Sequence, residues 1–147
     1  MRYMIMVKAT RYSEAGVRPG DAYQTAIDRY WRELAEAGVL LEREALRPSS
    51  AGVRIVYPAG GGEPALEAGP FEADHRLLAA YARIEAESEQ EALRYALHMP
   101  VPEDRGAFEL EVRRLEDDGG KAMHPSVRVL EYELAQQQFM LQRREER

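Results

Sequence analysis

The run Glu67-Ala68-Gly69-Pro70-Phe71-Glu72-Ala73-Asp74-His75-Arg76 decides how this chain is read. Pro70 fixes its own φ, Gly69 admits a close backbone approach, and Phe71 supplies a ring to anchor the turn in the core. The stretch from Leu77 to Ala86 follows at once, with Leu78, Tyr81 and Ile84 among its apolar positions. Turn and stretch together predict a tight reversal feeding a long strand.

Working outward toward the N-terminus, Ala59-Gly60-Gly61-Gly62-Glu63-Pro64 reads as a hairpin tip. It is not a phosphate loop, because neither Lys-Ser nor Lys-Thr follows and no helix begins there. Val53-Arg54-Ile55-Val56-Tyr57 alternates and stops at Pro58, while Val39 to Leu46 is a strand stopped by Arg47-Pro48-Ser49-Ser50. These two are expected to pair with each other as a hairpin. Asp21 as N-cap, with Gln24 as its capping-box partner, opens a helix in which Tyr23, Ile27, Tyr30 and Leu34 recur at helical spacing; Gly38 ends it. Residues 2 to 9 form a first strand, and a loop through Gly16, Pro19 and Gly20 joins it to that helix.

Working outward toward the C-terminus, Ser88 and Glu91 cap a second helix that ends near His98 and Pro100. Phe108 to Leu115 alternates cleanly as a last strand with one wet face. The predicted fold is α+β: a ferredoxin-like split βαβ antiparallel sheet with an added hairpin. Two helices cover one face of such a sheet, and the other face needs cover. Residues 1–118 make this domain. After the break Asp117-Asp118-Gly119-Gly120, residues 119–147 form an extension in which Val127, Leu130, Leu134 and Leu141 share a helical stripe. An amphipathic helix packing on the domain or on a partner subunit is expected there, although Val127 to Tyr132 also reads as a strand.

At 147 residues with 45% hydrophobic and 31% charged residues, the chain has the make-up of one soluble domain. No apolar run reaches the roughly 20 residues that span a bilayer. The apolar start Tyr3 to Val7 has no cleavage site after it and reads as a buried strand. With no cysteine there are no disulfides, thiolate metal sites or Cys nucleophiles, and a cytoplasmic location is expected. A formal charge of −6 argues against nucleic acid as a partner.

With these elements placed, the chain resembles the YCII-related proteins, also called the DGPF family, from about residue 2 to about residue 116. Glu36-Ala37-Gly38-Val39-Leu40-Leu41, Glu44-Ala45-Leu46-Arg47-Pro48 and Gly69-Pro70-Phe71 carry the likeness. Aligned without gaps, Ala68 stands where the family has the Asp of its motif and Ala73 where it has a Glu. His75 replaces a Lys, Ala79 and Ala80 replace two glycines, and Tyr81 keeps the aromatic position. The shape of the motif is retained and its polar members are not. The resemblance implies a dimeric α/β barrel, two sheets packed face to face in a homodimer. In the broader group a His near the start of the first helix and an Asp have been proposed as an active site. Asp21 occupies that helix start here, so no catalytic His is carried over. Some relatives are encoded beside extracytoplasmic-function sigma factors, and one recognised activity is dechlorination of a hydroxylated aromatic ring.

Among candidate catalytic groups, His75 beside Asp74 has the composition of a general base raised by a neighbouring anion. Successive residues of a strand point to opposite faces, however, which separates the two if the segment is extended. Glu67 stands one residue from the missing Asp, and a one-residue shift reverses the face. Tyr81 would serve as a proton donor. For ligand binding, Tyr23, Tyr30, Trp31, Phe71, Tyr81 and His98 offer apolar bodies with a few polar tips; the same helical spacing equally describes plain core. His98 also suits a helix C-terminus without any function. His75, His98 and His124 match no metal-ligand spacing, so neither a metal nor a cofactor is expected. The sequence thus favours a homodimer that binds a small molecule or a protein partner in a regulatory setting. Its alternative is a cofactor-independent enzyme acting by general acid/base chemistry on an aromatic or small acidic metabolite.

Overall fold

Strand β1 (Arg2–Lys8) is the spine of the structure, a computed structural model that describes residues 1–103, 106–117 and 125–145. It pairs antiparallel with β5 (Leu78–Glu85) on one side and β6 (Leu110–Arg114) on the other, and β2 (Leu40–Ala45) closes the far side of β5. The order β2-β5-β1-β6, with helices between β1 and β2 and between β5 and β6, is the split βαβ arrangement. Helix α2 (Asp21–Glu36) and helix α3 (Glu89–Leu97) lie on the same face. Ile27, Tyr30, Trp31 and Leu34 of α2 and Ala92 and Ala96 of α3 share one core with Tyr3, Ile5, Ala82 and Ile84. Ile5 and Ile84 are completely buried there.

Alternation along the strands sorts side chains into rows. On the helix side one row runs Leu40, Ile84, Tyr3, the next Arg43, Ala82, Ile5, Val112, and the last Ala45, Ala80, Val7, Leu110. On the other side, free of α2 and α3, the rows are Glu42, Arg83, Met4, Arg113 and Glu44, Tyr81, Met6, Glu111. A register shift between Leu40 and Glu42 lets β2 join the sheet with this phase.

The added hairpin is present, but its strands differ from those expected. β2 does not pair with β3 (Val53–Val56); β3 pairs with β4 (Ala65–Ala68), and β2 pairs with β5. The chain leaves β2 through Pro48 into a 3-10 turn, Ser49–Ala51. The reversal comes instead at Gly60, Gly61 and Gly62, whose positive φ values suit a hairpin tip. Ala-Leu-Glu-Ala carries little strand propensity and takes its conformation from pairing.

Two details at the helices also differ. The stretch expected as loop holds a short helix α1 (Arg11–Glu14), fixed by reciprocal hydrogen bonds between Thr10 and Ser13. Asp21 is the first helical residue and not the cap, which is Gly20 with no side-chain hydrogen bond. Ser88 does accept from the Glu91 N–H at 3.1 Å, and Gly38 does follow α2 with φ +73°.

The chain divides into two compact units, Met1–Leu115 and Glu116–Arg147. The described residues of the second include helix α4 (Pro125–Glu145), so a helix and not a strand runs through Val127 to Tyr132. Leu134 and Leu141 of the expected stripe are exposed, as are Phe139 and Met140. The side chains of Val127 and Leu130, and all of His124, lie outside the described residues. No helix among the described residues is long and apolar enough to cross a membrane.

Candidate functional site

The Gly-Pro-Phe turn is held by Ser49, which is only 8% exposed. The Ser49 N–H donates to both Glu14 carboxylate oxygens at 3.1 and 3.2 Å, and its hydroxyl donates to Glu14 Oε2. The Phe71 N–H in turn donates to Ser49 Oγ at 2.9 Å. Phe71 does not enter the core: it is half-buried, with the Arg54 guanidinium 3.9 Å over its ring. Every polar group of the turn that these bonds involve is committed to holding α1, the 3-10 turn and the motif together. This is architecture, not reactivity.

The acidic and imidazole candidates are dispersed. Asp74 lies in a turn and accepts hydrogen bonds from the Arg76 backbone N–H at 2.8 Å and from its guanidinium at 2.8 and 3.2 Å. These bonds, the guanidinium ones first, hold its carboxyl down at about 2. Its partner is therefore Arg76 and not His75, whose side chain is exposed. Glu67 is exposed on β4, opposite Arg54. Tyr81 sits on β5, opposite Met6 and Glu44.

A cleft does form at the end of the sheet where the helix-side row is made of short side chains. Ala45, Ala80 and Val7 leave room beneath α2 that longer residues fill elsewhere. A cavity of about 320 Å³ opens toward β2, lined by Trp31, Arg43, Glu44 and Tyr81 together with those three. A second of about 200 Å³ lies toward β6, with an almost wholly apolar lining that includes Val7, Tyr23, Phe108 and Pro19. Val7 lines both. Tyr23 and Pro19 also border a wider depression of about 580 Å³ with Pro100 and Val101. Burial raises the Tyr23 phenol above its ordinary value, keeping it a neutral donor. Lys8 is already paired with Glu111 at 3.1 Å, a bond that comes first among the causes lowering the Glu111 carboxyl.

Three of the six expected binding residues, Tyr23, Trp31 and Tyr81, therefore line cavities. Tyr30 is used in the core, where its hydroxyl donates to the Tyr95 carbonyl at 2.7 Å and its ring meets Trp31 edge-on at 4.8 Å. His98 caps α3, with Nδ1 2.6 Å from the Arg94 carbonyl. Phe71 stays with the turn. Sequence reading missed Arg43, which looked like one more charge on the alternating stretch Glu42-Arg43-Glu44. Only its register opposite Ala82 turns it toward Trp31, over whose ring it lies at 5.5 Å.

Compared with known families, residues 1–116 match the model of the YCII-related domain. None of the functionally curated proteins compared matches the chain.

Proposed function

Since the chain belongs to the YCII-related family, we propose that it is a homodimeric protein that binds a small molecule in the cleft beneath α2 and acts in a regulatory setting in the cytoplasm. The observation that carries this reading is the row Ala45, Ala80, Val7: short side chains on the helix side of the sheet, in clefts that Trp31 and Tyr23 also line. Half-open clefts of about 320 and 200 Å³ that share Val7, the first walled by Trp31 and Tyr81 with Arg43 and Glu44 as polar groups and the second by Tyr23 and Phe108, suit a small-molecule site. The dimer is supported by the helix-free face, where Met4, Met6 and Tyr81 lie in the middle of the sheet. The absence of cysteine suits a reducing compartment.

Proton-transfer chemistry finds less support. Asp74 is tied to Arg76, and none of Asp74, His75 and Glu67 lines either cavity. The test is a thermal-shift screen of small metabolites against the native chain and Ala80→Leu. Leucine fills the cleft floor, so a compound that raises the melting temperature of the native protein should leave the variant unmoved. Hits that stabilise both proteins equally would sink the proposed location.

A further inference from the structure

We propose that the cleft selects a small carboxylate, with Arg43 as the group that grips it; the inference rests on the binding reading above and names its ligand class. Arg43 is held over the Trp31 indole at 5.5 Å from the ring centroid. Among the described residues it makes no hydrogen bond and no ion pair, whereas Arg76, Arg83 and Arg113 are each matched to a carboxylate. A guanidinium carries five N–H donors in a planar fork whose geometry matches a carboxylate. Stacking on Trp31 orients that fork before any ligand arrives, which reduces the ordering cost of binding.

The surroundings of Arg43 suit an anion with an apolar body. Trp31 is buried, and Ala45, Ala80 and Val7 offer a flat apolar floor in the same cavity of about 320 Å³. That is room for a benzoate-sized molecule with its ring on the alanines. Glu44 is the one carboxylate in the lining; strand alternation puts it in the row of the helix-free face, opposite Tyr81, while Arg43 stands in the row of Ala82. The nearest carboxylate in sequence on the other side, Glu42, is taken by Arg83, with Nε at 2.8 Å. Arg43 is therefore left with its fork available, over an aromatic ring and beside an open apolar floor.

Benzoate and its neutral isostere benzamide provide the probes, titrated by NMR or calorimetry into the full chain and into Arg43→Met, Arg43→Lys and Ala80→Leu. Methionine keeps an apolar stem over Trp31 without the charge. Benzoate is expected to bind the native chain at least tenfold more tightly than benzamide, to lose that advantage in Arg43→Met, and to recover only part of it in Arg43→Lys. Equal binding of the two probes, or benzoate binding unaffected by Arg43→Met, overturns the carboxylate assignment. The same holds if benzoate does not bind the native chain. A neutral compound from the thermal screen that binds native and Arg43→Met proteins alike, yet is excluded by Ala80→Leu, also overturns it while leaving the binding reading intact. Failure of the binding reading itself appears separately, as ligands that Ala80→Leu does not exclude.

Discussion

A Cβ atom added to Gly69 would lie 1.8 Å from the carbonyl oxygen of Ser49 and 2.7 Å from its carbonyl carbon. The obstacle is backbone, so no side-chain rotation relieves it. Gly69 is required by approach, because its N–H also donates to the Gly52 carbonyl at 2.9 Å and holds the two segments together. Gly69→Ala should destabilise the protein by roughly 3 kcal/mol or prevent folding, as overpacking against a fixed wall does. Urea denaturation reads the change, and an unshifted midpoint would show that the turn can move away.

Ser49 transmits that turn to α1. Ser49→Ala removes the hydroxyl that donates to Glu14 and accepts from the Phe71 N–H; the Phe71 N–H loses its partner, while Glu14 keeps the bonds from the Ser49 backbone N–H. The expected cost is about 1–3 kcal/mol. Glu14→Ala removes the acceptor of both the Ser49 N–H and the Ser49 hydroxyl and should cost a similar amount, although the hydroxyl can still accept from Phe71. A double-mutant cycle should return a coupling of about 0.5 kcal/mol or more between the two residues; simple additivity would mean that they act independently.

Asp74 offers a pH test. Its carboxyl is held at about 2, against an ordinary 3.8, by hydrogen bonds from the Arg76 guanidinium and backbone. A lowered folded value means that its stabilising contribution is complete above the ordinary carboxylate range and is lost as pH falls through 3.8 toward about 2. Carboxyl-detected NMR titration should place Asp74 well below the ordinary value of 3.8. In Arg76→Ala it should move back up, though not fully, since the bond from the backbone N–H remains. Because the pair is at the surface, salt should weaken the shift. A titration midpoint in the ordinary range in the native chain would show that the pair is not formed in solution.

Tyr30 shows the opposite sign at high pH. Burial pushes its phenol up to about 12, so the unfolded chain ionises first. The stability linked to the neutral phenol is complete below the ordinary value of 10.0 and disappears as pH rises toward about 12. Tyr30→Phe removes the partly buried hydrogen bond to the Tyr95 carbonyl and should cost about 1 kcal/mol at neutral pH. It should also flatten the alkaline limb of the stability profile. A variant with unchanged neutral stability and an unchanged alkaline limb would contradict this role.

The regular elements were legible because their local signals agree with their tertiary use. Ile27, Tyr30 and Leu34 recur at helical spacing and are buried at that spacing, and Gly38 stops α2 where its positive φ requires. The pairing of β3 was not legible, because β2 and β3 carry equally good strand patterns and the 3-10 turn at Ser49 gives no periodic signal. Of the candidate site, the aromatic rim could be read from Tyr23, Trp31 and Tyr81. Its floor could not: Ala45, Ala80 and Val7 come from three strands and become neighbours only through register. The same holds for Arg43, whose partner Trp31 is on a different element.

The helix-free face yields the last prediction. Met4, Met6 and Tyr81 lie on its two central strands, with the paired charges Arg83–Glu42 and Lys8–Glu111 next to them on the same face. A sheet face with apolar residues at its middle and matched charges around them suits an isologous contact with a second copy. Met6→Arg would bring a bulky guanidinium, opposite Glu111, into the centre of that contact, twice in each dimer, and desolvating charge there is costly. Sedimentation equilibrium should give twice the chain mass of 16.7 kDa for the native protein and the single-chain mass for Met6→Arg. Circular dichroism should be unchanged, because Met6 lies outside the core that joins α2 and α3 to the sheet. A native chain that sediments as a monomer, or a variant that remains dimeric, would place the contact elsewhere.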